Sequence, residues 1–397
     1  MLRTVAGTAA VRIARPPLWR DVRVLRVLGQ LVFVIALVGV AGQLWLNLRF
    51  ETQRQGLDLS FDFLDRRAGF SIQEGISYSA NQSFLRAYVV GVVNTLRVAG
   101  VGILLATALG LVVGVARLSP NWLVRKIAQV YVEVIRNTPV LIQIIFWWGA
   151  VLLALPAIGG GFSLGRAAFL SNRGAAIPWV HLGPDAGAWG GFLLVGLAAA
   201  AGAELWRTHL NERTGRPHHR VAWAMAVFIL VAAAGYLLLP QPLELDVPEF
   251  TGRTYRGGLQ LSVGYAAILI GLVIYTAAFI GEIVRGSILA VSKGQKEAAE
   301  ALGLTRFQQL RFVVLPQAMR VAIPPINSQY LNLTKNSSLA LAIGYPELVS
   351  VSRTIMNQSG RATQMLLIVM TTYLVMTLSI SFFMNLLNRA VTRKGGR

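Results

Sequence analysis

The chain has 397 residues, 55% of them hydrophobic and only 14% charged, with a mean hydropathy of +0.58. Soluble domains carry about 25% charged residues, so there are too few polar groups here to cover a water-facing surface, and the composition is that of a polytopic membrane protein. A formal charge of +20 would point to nucleic acid in a soluble protein, while the lack of cysteine excludes disulfides, thiolate metal sites and a cysteine nucleophile.

An Arg-rich stretch, 1–26, precedes a charge-free run at 27–48. That run is too long for a signal peptide and has no small-x-small site after it, so it reads as a retained first span. Residues 49–86 form a mixed-charge extramembrane loop with five acids and five Arg. Further charge-free runs follow at 98–116, 137–165, 186–203, 221–243, 257–281 and 362–388. A bilayer core about 30 Å thick needs roughly 20 apolar residues, and each of these runs suffices. Within 98–116, Gly110 and Gly114 have the small-xxx-small spacing that lets two helices approach closely. Residues 158–220 are Gly-, Ala- and Trp-rich and then polar, an insertion that brings two extra spans. An eighth crossing, 321–346, is interrupted by Pro324-Pro325 and by Lys335.

With eight spans the flanks alternate in charge. Flanks 1–26, 117–136, 204–220, 282–320 and 389–397 total +17, and the other four total +3. The positive-inside rule then places both termini in the cytoplasm. The basicity is topogenic, and the nucleic-acid reading loses its support.

No H-E-x-x-H, G-x-S-x-G or Walker-type G-x-x-x-x-G-K-[ST] occurs. His218 and His219 sit in a basic loop without partners at metal spacing, and no paired carboxylates lie inside spans. No catalytic residue, metal ligand or cofactor is expected on this chain, so it is not read as an enzyme. Polar residues concentrate instead in 129–143 and 282–347. In 293–316, small apolar residues Ala298, Ala301, Leu302 and Leu304 share one face of a short helix. Gly303 suits its C′ position, and Thr305 can N-cap a second helix. Such an element fits a groove on a partner, or is an ordinary interfacial hairpin. Glu282 and Arg285, at i,i+3 spacing, read as a structural ion pair.

Glu297-Ala298-Ala299, Gly303 six residues after the Glu, and Val313-x-Leu315-Pro316 resemble the E-A-A-x3-G-x9-I-x-L-P loop of ABC importer permeases, with Val for Ile. Asn94-Thr95-Leu96, EVIRNTPVLIQ at 133–143, EIVRGSI at 282–288 and KNSSLA at 335–340 narrow the resemblance to the polar amino acid (His/Glu/Gln/Arg/opine) permeases. It covers about 88–157 and 258–392. The first span, the 49–86 loop and the insertion resemble the longer permease of Aap/Bzt-type general L-amino acid transporters.

The resemblance implies an all-α protein of about eight transmembrane helices containing a five-helix type I ABC permease core. It divides the chain into 1–86 (tail, extra helix and periplasmic loop), 87–157 (first part of the core), 158–257 (insertion) and 258–392 (second part, with coupling loop 293–316). Glu297 would face a cytoplasmic ATPase, Ala298 and Ala299 would permit close approach, and Gly303 would set the turn. ATP and Mg belong to that partner. The other expected partners are a second permease, by preference a paralogue in a heterodimer, a periplasmic amino acid-binding protein and the lipid of the inner membrane.

Substrate candidates come from the interrupted crossing: Asn327, Lys335, Asn336, Ser337 and Ser338. Broken helices expose dipoles and polar groups to a zwitterion, and an intramembrane Lys is costly unless it is paired or wet. Alternatively, Lys335 snorkels to the outer interface. Thr138 and Gln143, flanking Pro139, are further candidates. The rival in another class is an ion-coupled secondary transporter, which would more often show repeats and buried acids. A structural membrane protein leaves the polar broken crossing unexplained.

Overall fold

The computed structural model describes residues 22–54, 60–164, 167–215, 219–252 and 254–394. The Arg-rich 1–21 and His218 therefore lie outside the described residues. The chain divides into two compact units, 1–63 and 64–397. In the first, α1 (Val22–Arg54) contains an apolar 24-residue stretch whose side chains are exposed beyond the half-buried Val24. An isolated helix of that length and character is stable in lipid, where its backbone is satisfied internally.

The second unit is built on α2 (Phe84–Ala116), which follows an N-cap at Ser83. After it come α3 (Trp122–Asn137), α4 (Val140–Ile145), with a π-helical turn at Phe146–Leu152, and strands β1 (Phe162–Leu164), β2 (Ala168–Ser171), β3 (Gly174–Ile177) and β4 (Trp179–Leu182). Helices α5 (Ala186–Thr214) and α6 (Arg220–Leu238) are followed by strands β5 (Leu243–Asp246), β6 (Glu249–Phe250), β7 (Tyr255–Arg256) and β8 (Leu259–Ser262). The remainder is helical: α7 (Val263–Leu289), α8 (Lys293–Ala301), α9 (Arg306–Gln308), α10 (Leu315–Asn336), α11 (Leu348–Ser359) and α12 (Ala362–Lys394).

Helices α2 and α7 run in the same direction and form the centre. A Cβ on Gly110 would stand 2.6 Å from the Ile280 side chain, and one on Gly114 would stand 2.9 Å from the Gly281 carbonyl. The small-xxx-small spacing therefore works within this chain, bringing backbones together where lipid offers no hydrophobic drive. At one end of this pair, Glu282 is bridged by both Arg117 and Arg285, so the predicted Glu282/Arg285 pair is part of a three-residue ion cluster. The sheets lie at the other end, where β8 runs directly into α7 through the N-cap Ser262.

Charge-free length proved a poor guide to two crossings. The run 137–165 is not one straight span: α3 and α4 meet at an angle of 105°, and the helical part ends at Leu152 before β1 begins. Thr138 is held extended before Pro139, the conformation that a following proline favours. Nor is the eighth crossing interrupted at Pro324-Pro325. Helix α10 continues through both prolines, and the change comes at Ser337, where a 3-10 segment (Ser337–Ile343) runs to Gly344 at φ 73°. Neighbouring helices can absorb the lost backbone bonds of such prolines. Among the described residues, six helices are long and apolar enough to span, or seven if the bent pair counts as one, against the eight expected.

The insertion also differs from a purely helical expectation. Its two long helices, α5 and α6, are present and pack on each other, with Gly196 against Phe228 and Val231 and Trp189 Nε1 donating to the Ala232 carbonyl. They stand on small antiparallel sheets, ordered β1-β2-β3-β8, β4-β5 and β6-β7.

Candidate functional site

Three groups of polar residues contain the expected site positions, starting with the exposed loop after α7. Helix α8 closes with the Gly303 N–H on the Glu300 carbonyl (2.9 Å) and the Leu304 N–H on the Ala299 carbonyl (3.2 Å). This is the paired-bond C-terminal motif that needs a left-handed residue at C′, and Gly303 supplies it at φ 72°. Thr305 then caps α9 in a reciprocal box with Gln308, as its sequence position predicts. Gln317 on α10 donates to Gln295 on α8 at 3.2 Å, so the loop is tied to the helix that follows it.

Ala298, Ala301 and Leu302 are all exposed, Leu302 by 79%, and Phe307 nearby by 68%. Ala299 differs from its expected role: it is buried in the chain itself, leaving Ala298 as the exposed member of the pair. Glu297 is exposed and meets Lys293 at 3.3 Å, a surface pair of small energetic weight.

Around the bend, Gln143 is buried, and its amide nitrogen donates to the carbonyls of Ile135 and Thr138, both at 3.0 Å. It mends the backbone that the turn before Pro139 leaves open. Its Oε1 has no hydrogen-bond partner among the described residues. The Thr138 hydroxyl is engaged with the Val134 carbonyl at 2.8 Å. Helix α4 packs on the 3-10 segment, so the elements carrying Gln143 and Ser337 meet.

In the α10 group, the Ser337 and Ser338 hydroxyls are returned to the carbonyls of Thr334 (2.7 Å) and Lys335 (2.8 Å). Lys335 is exposed and has no ion-pair partner among the described residues. Asn336 is half-buried, and Asn327 keeps a buried Oδ1 without a hydrogen-bond partner. Tyr330, one turn after Asn327, shares a 2.7 Å hydrogen bond with Thr107 and so fixes α10 to α2.

Two features here were not read as site residues. Asn94 and Thr95, on α2, bond the Pro346–Leu348 corner, and Gly91 touches Glu347 and Leu348 there. Glu347 is fully buried, and its carboxylate accepts from the Val349 and Ser350 amides at 2.9 and 2.7 Å, capping α11. Its position just beyond a polar crossing carried the only hint.

Residues 106–395 match the family of binding-protein-dependent transport system inner membrane components. The chain belongs to this family. The permease protein YhdX of Escherichia coli is 43% identical over 91% of this chain and 93% of its own. The general L-amino acid transport system permease protein AapQ of Rhizobium johnstonii is 41% identical over 90% of each chain. The glutamate/glutamine/aspartate/asparagine transport system permease protein BztB of Rhodobacter capsulatus is 39% identical over 91% and 92%. The similarity thus extends well beyond residues 106–395, and the exposed α8–α9 loop lies inside the matched family region.

Proposed function

We propose that the chain is the membrane-spanning permease subunit of an ATP-driven importer of polar L-amino acids, driven by a separate ATPase and fed by a periplasmic binding protein. The carrying observation is the α8–α9 loop, which presents Ala298, Ala301, Leu302 and Glu297 outward on a turn set by Gly303, in a chain of this transport family. An exposed apolar face on an otherwise ion-paired end of a helical bundle is suited to a partner's groove. The α7 and α10 helices that flank it would act as levers on the bent α3–α4 segment and the 3-10 segment.

The amino acid substrate is supported by the names of the relatives and by the polar groups on α10 and the 3-10 segment, Asn327, Lys335, Asn336, Ser337 and Ser338, with Thr138 and Gln143 at the α3–α4 bend. In this reading the core comprises 87–157 and 258–392, and a second permease, a paralogue, completes the pathway. Both termini are cytoplasmic in this reading, because flanks 1–26, 117–136, 204–220, 282–320 and 389–397 together carry +17 of the +20 charge, and the flanks that follow α2 and α7 are among them. The sheets then face the periplasm. ATP and Mg are bound by the partner, and this chain contributes no catalytic residue.

Mild-detergent purification from the native host tests the reading. An ATP-hydrolysing subunit and a second permease should co-purify. A self-sufficient oligomer transporting amino acids in vesicles without ATP would instead establish an ion-coupled secondary transporter.

A further inference from the structure

At the sheet end of the bundle, a cavity of about 430 Å3 opens between the 73–75 loop, the first part of α2 and the four-stranded sheet. That is within the usual range of small-ligand sites. Its charged lining residues are Arg97 on α2, Arg173 on the β2–β3 turn and Glu74 on the loop. Each is placed by local structure. The Glu74 carbonyl is held by Asn94 at 3.3 Å, and the adjoining Gly75, at φ 99°, leaves no room for a side chain against Asn94. Arg97 stands one turn further along α2, its guanidinium 5.3 Å from the centre of the Tyr265 ring. Arg173 lies on a two-residue turn set by Gly174 at φ 120° and by its own N–H on Ser171 Oγ at 3.3 Å.

Among the described residues, neither arginine has a carboxylate within ion-pair distance, and the Glu74 carboxylate has no cation. Two arginines and one glutamate thus line a single space with no salt bridge among them. A second cavity, of about 320 Å3, shares Gln73, Glu74 and Ser262 with the first and reaches Gly344–Pro346, where the 3-10 segment after Lys335 ends. Glu74 therefore stands between the sheet chamber and the end of the polar segment.

We propose that this chamber is an outer amino acid site, selective for a dicarboxylic amino acid, which it holds before passage toward the Gly344 corner. The proposal rests on the importer reading and names the substrate class it prefers. The three side chains carry a net charge of one positive unit, matching the single negative charge of glutamate or aspartate at neutral pH. Two forked guanidiniums suit two carboxylates, since arginine binds a carboxylate in bidentate fashion. Glu74 suits the ammonium. A neutral zwitterion such as glutamine would leave one arginine unmatched.

The assembled complex in nanodiscs, without binding protein, provides the test, with tritiated L-glutamate and L-glutamine as probes. Wild type should bind glutamate more tightly than glutamine. Arg173→Gln should weaken glutamate about tenfold, as for one charge-assisted contact, with glutamine changed less than about twofold. Glu74→Gln should weaken both. Arg97→Gln, on a different element, is measured in parallel and should match Arg173→Gln, so a failure of one variant to assemble does not spare the proposal. Glutamate binding unchanged in both arginine variants overturns it. So does Arg173→Gln weakening the binding protein's association while glutamate affinity stays at the wild-type value. ATP-dependent uptake by the wild-type complex with its binding protein separates the two readings. If uptake occurs and the arginine variants bind as wild type, only the chamber fails; if neither amino acid is taken up, the importer reading falls too.

Discussion

Asn94 on α2 donates a 2.9 Å hydrogen bond to the carbonyl of Pro346, 252 positions further along the chain. The same amide donates to the Glu74 carbonyl at 3.3 Å, and the neighbouring Thr95 hydroxyl accepts from the Leu348 N–H at 3.0 Å. One helical turn thus clamps a loop that precedes it and a corner near the end of the chain. Asn94→Leu should remove two part-buried hydrogen bonds and cost about 1–3 kcal/mol. The unfolding temperature of the detergent-purified protein should fall clearly, whereas Leu96→Ala, at an exposed position, should change it little. Equal effects of the two substitutions would remove Asn94 from this role.

The parts that were legible in advance are those in which a few adjacent residues decide the geometry. Gly303 as C′, Thr305 as N-cap and the Glu282–Arg285 pair needed only local chemistry. The strands were not legible, because segments such as Gly174–Ile177 and Glu249–Phe250 are short and carry no clear alternation, and Gly174–Ile177 finds one partner, β8, only across an intervening helical hairpin. Counting charge-free residues located the long helices, though not the start of α2 at Phe84, and could not register the 105° turn at Thr138, since a bend changes no charge. The proline pair at 324–325 misled in the opposite direction: tertiary packing carried α10 through it. Ala299 shows the limit of a motif, which names neighbours without saying which one faces inward.

Gly303 has nothing within 4 Å of the place a Cβ would occupy, so a substitution there is opposed by backbone strain alone. Gly303→Val should cost about 1–2 kcal/mol at that turn and reduce recovery of the ATPase while membrane insertion persists. Gly303→Asn, which tolerates the left-handed region, should recover most of the association. Equal loss for Val and Asn would mean that the site is limited by space rather than by conformation.

Lys335 is exposed at the last turn of α10, beside two serines whose hydroxyls are already satisfied. If its ammonium meets substrate, Lys335→Met should lower uptake about tenfold, the loss of one charged contact, with the subunits still co-purifying. Uptake at the wild-type rate would leave Lys335 as an interfacial anchor.

Glu347 lies outside the candidate spans, and burial pushes its carboxyl up from the model-compound value of 4.5 to about 7, against the lowering effect of its bonds to the Val349 and Ser350 amides. Tyr373 and Tyr345 are the titratable groups within electrostatic reach. The sign follows from proton binding. Below about pH 4.5 the carboxyl is protonated in both folded and unfolded chains, and the shift costs nothing. Between about 4.5 and 7 the unfolded chain releases the proton while the folded one keeps it, so stability declines as pH rises. Above about 7 both are ionised and the full penalty, on the order of 3 kcal/mol, is present. Glu347→Gln retains one acceptor for the α11 cap and has no proton to release. The unfolding midpoint of the wild type should therefore drop between about pH 5 and pH 8 more steeply than that of Glu347→Gln. Parallel profiles for the two proteins would show that the buried carboxylate is stabilised by contacts other than those at the α11 N-terminus.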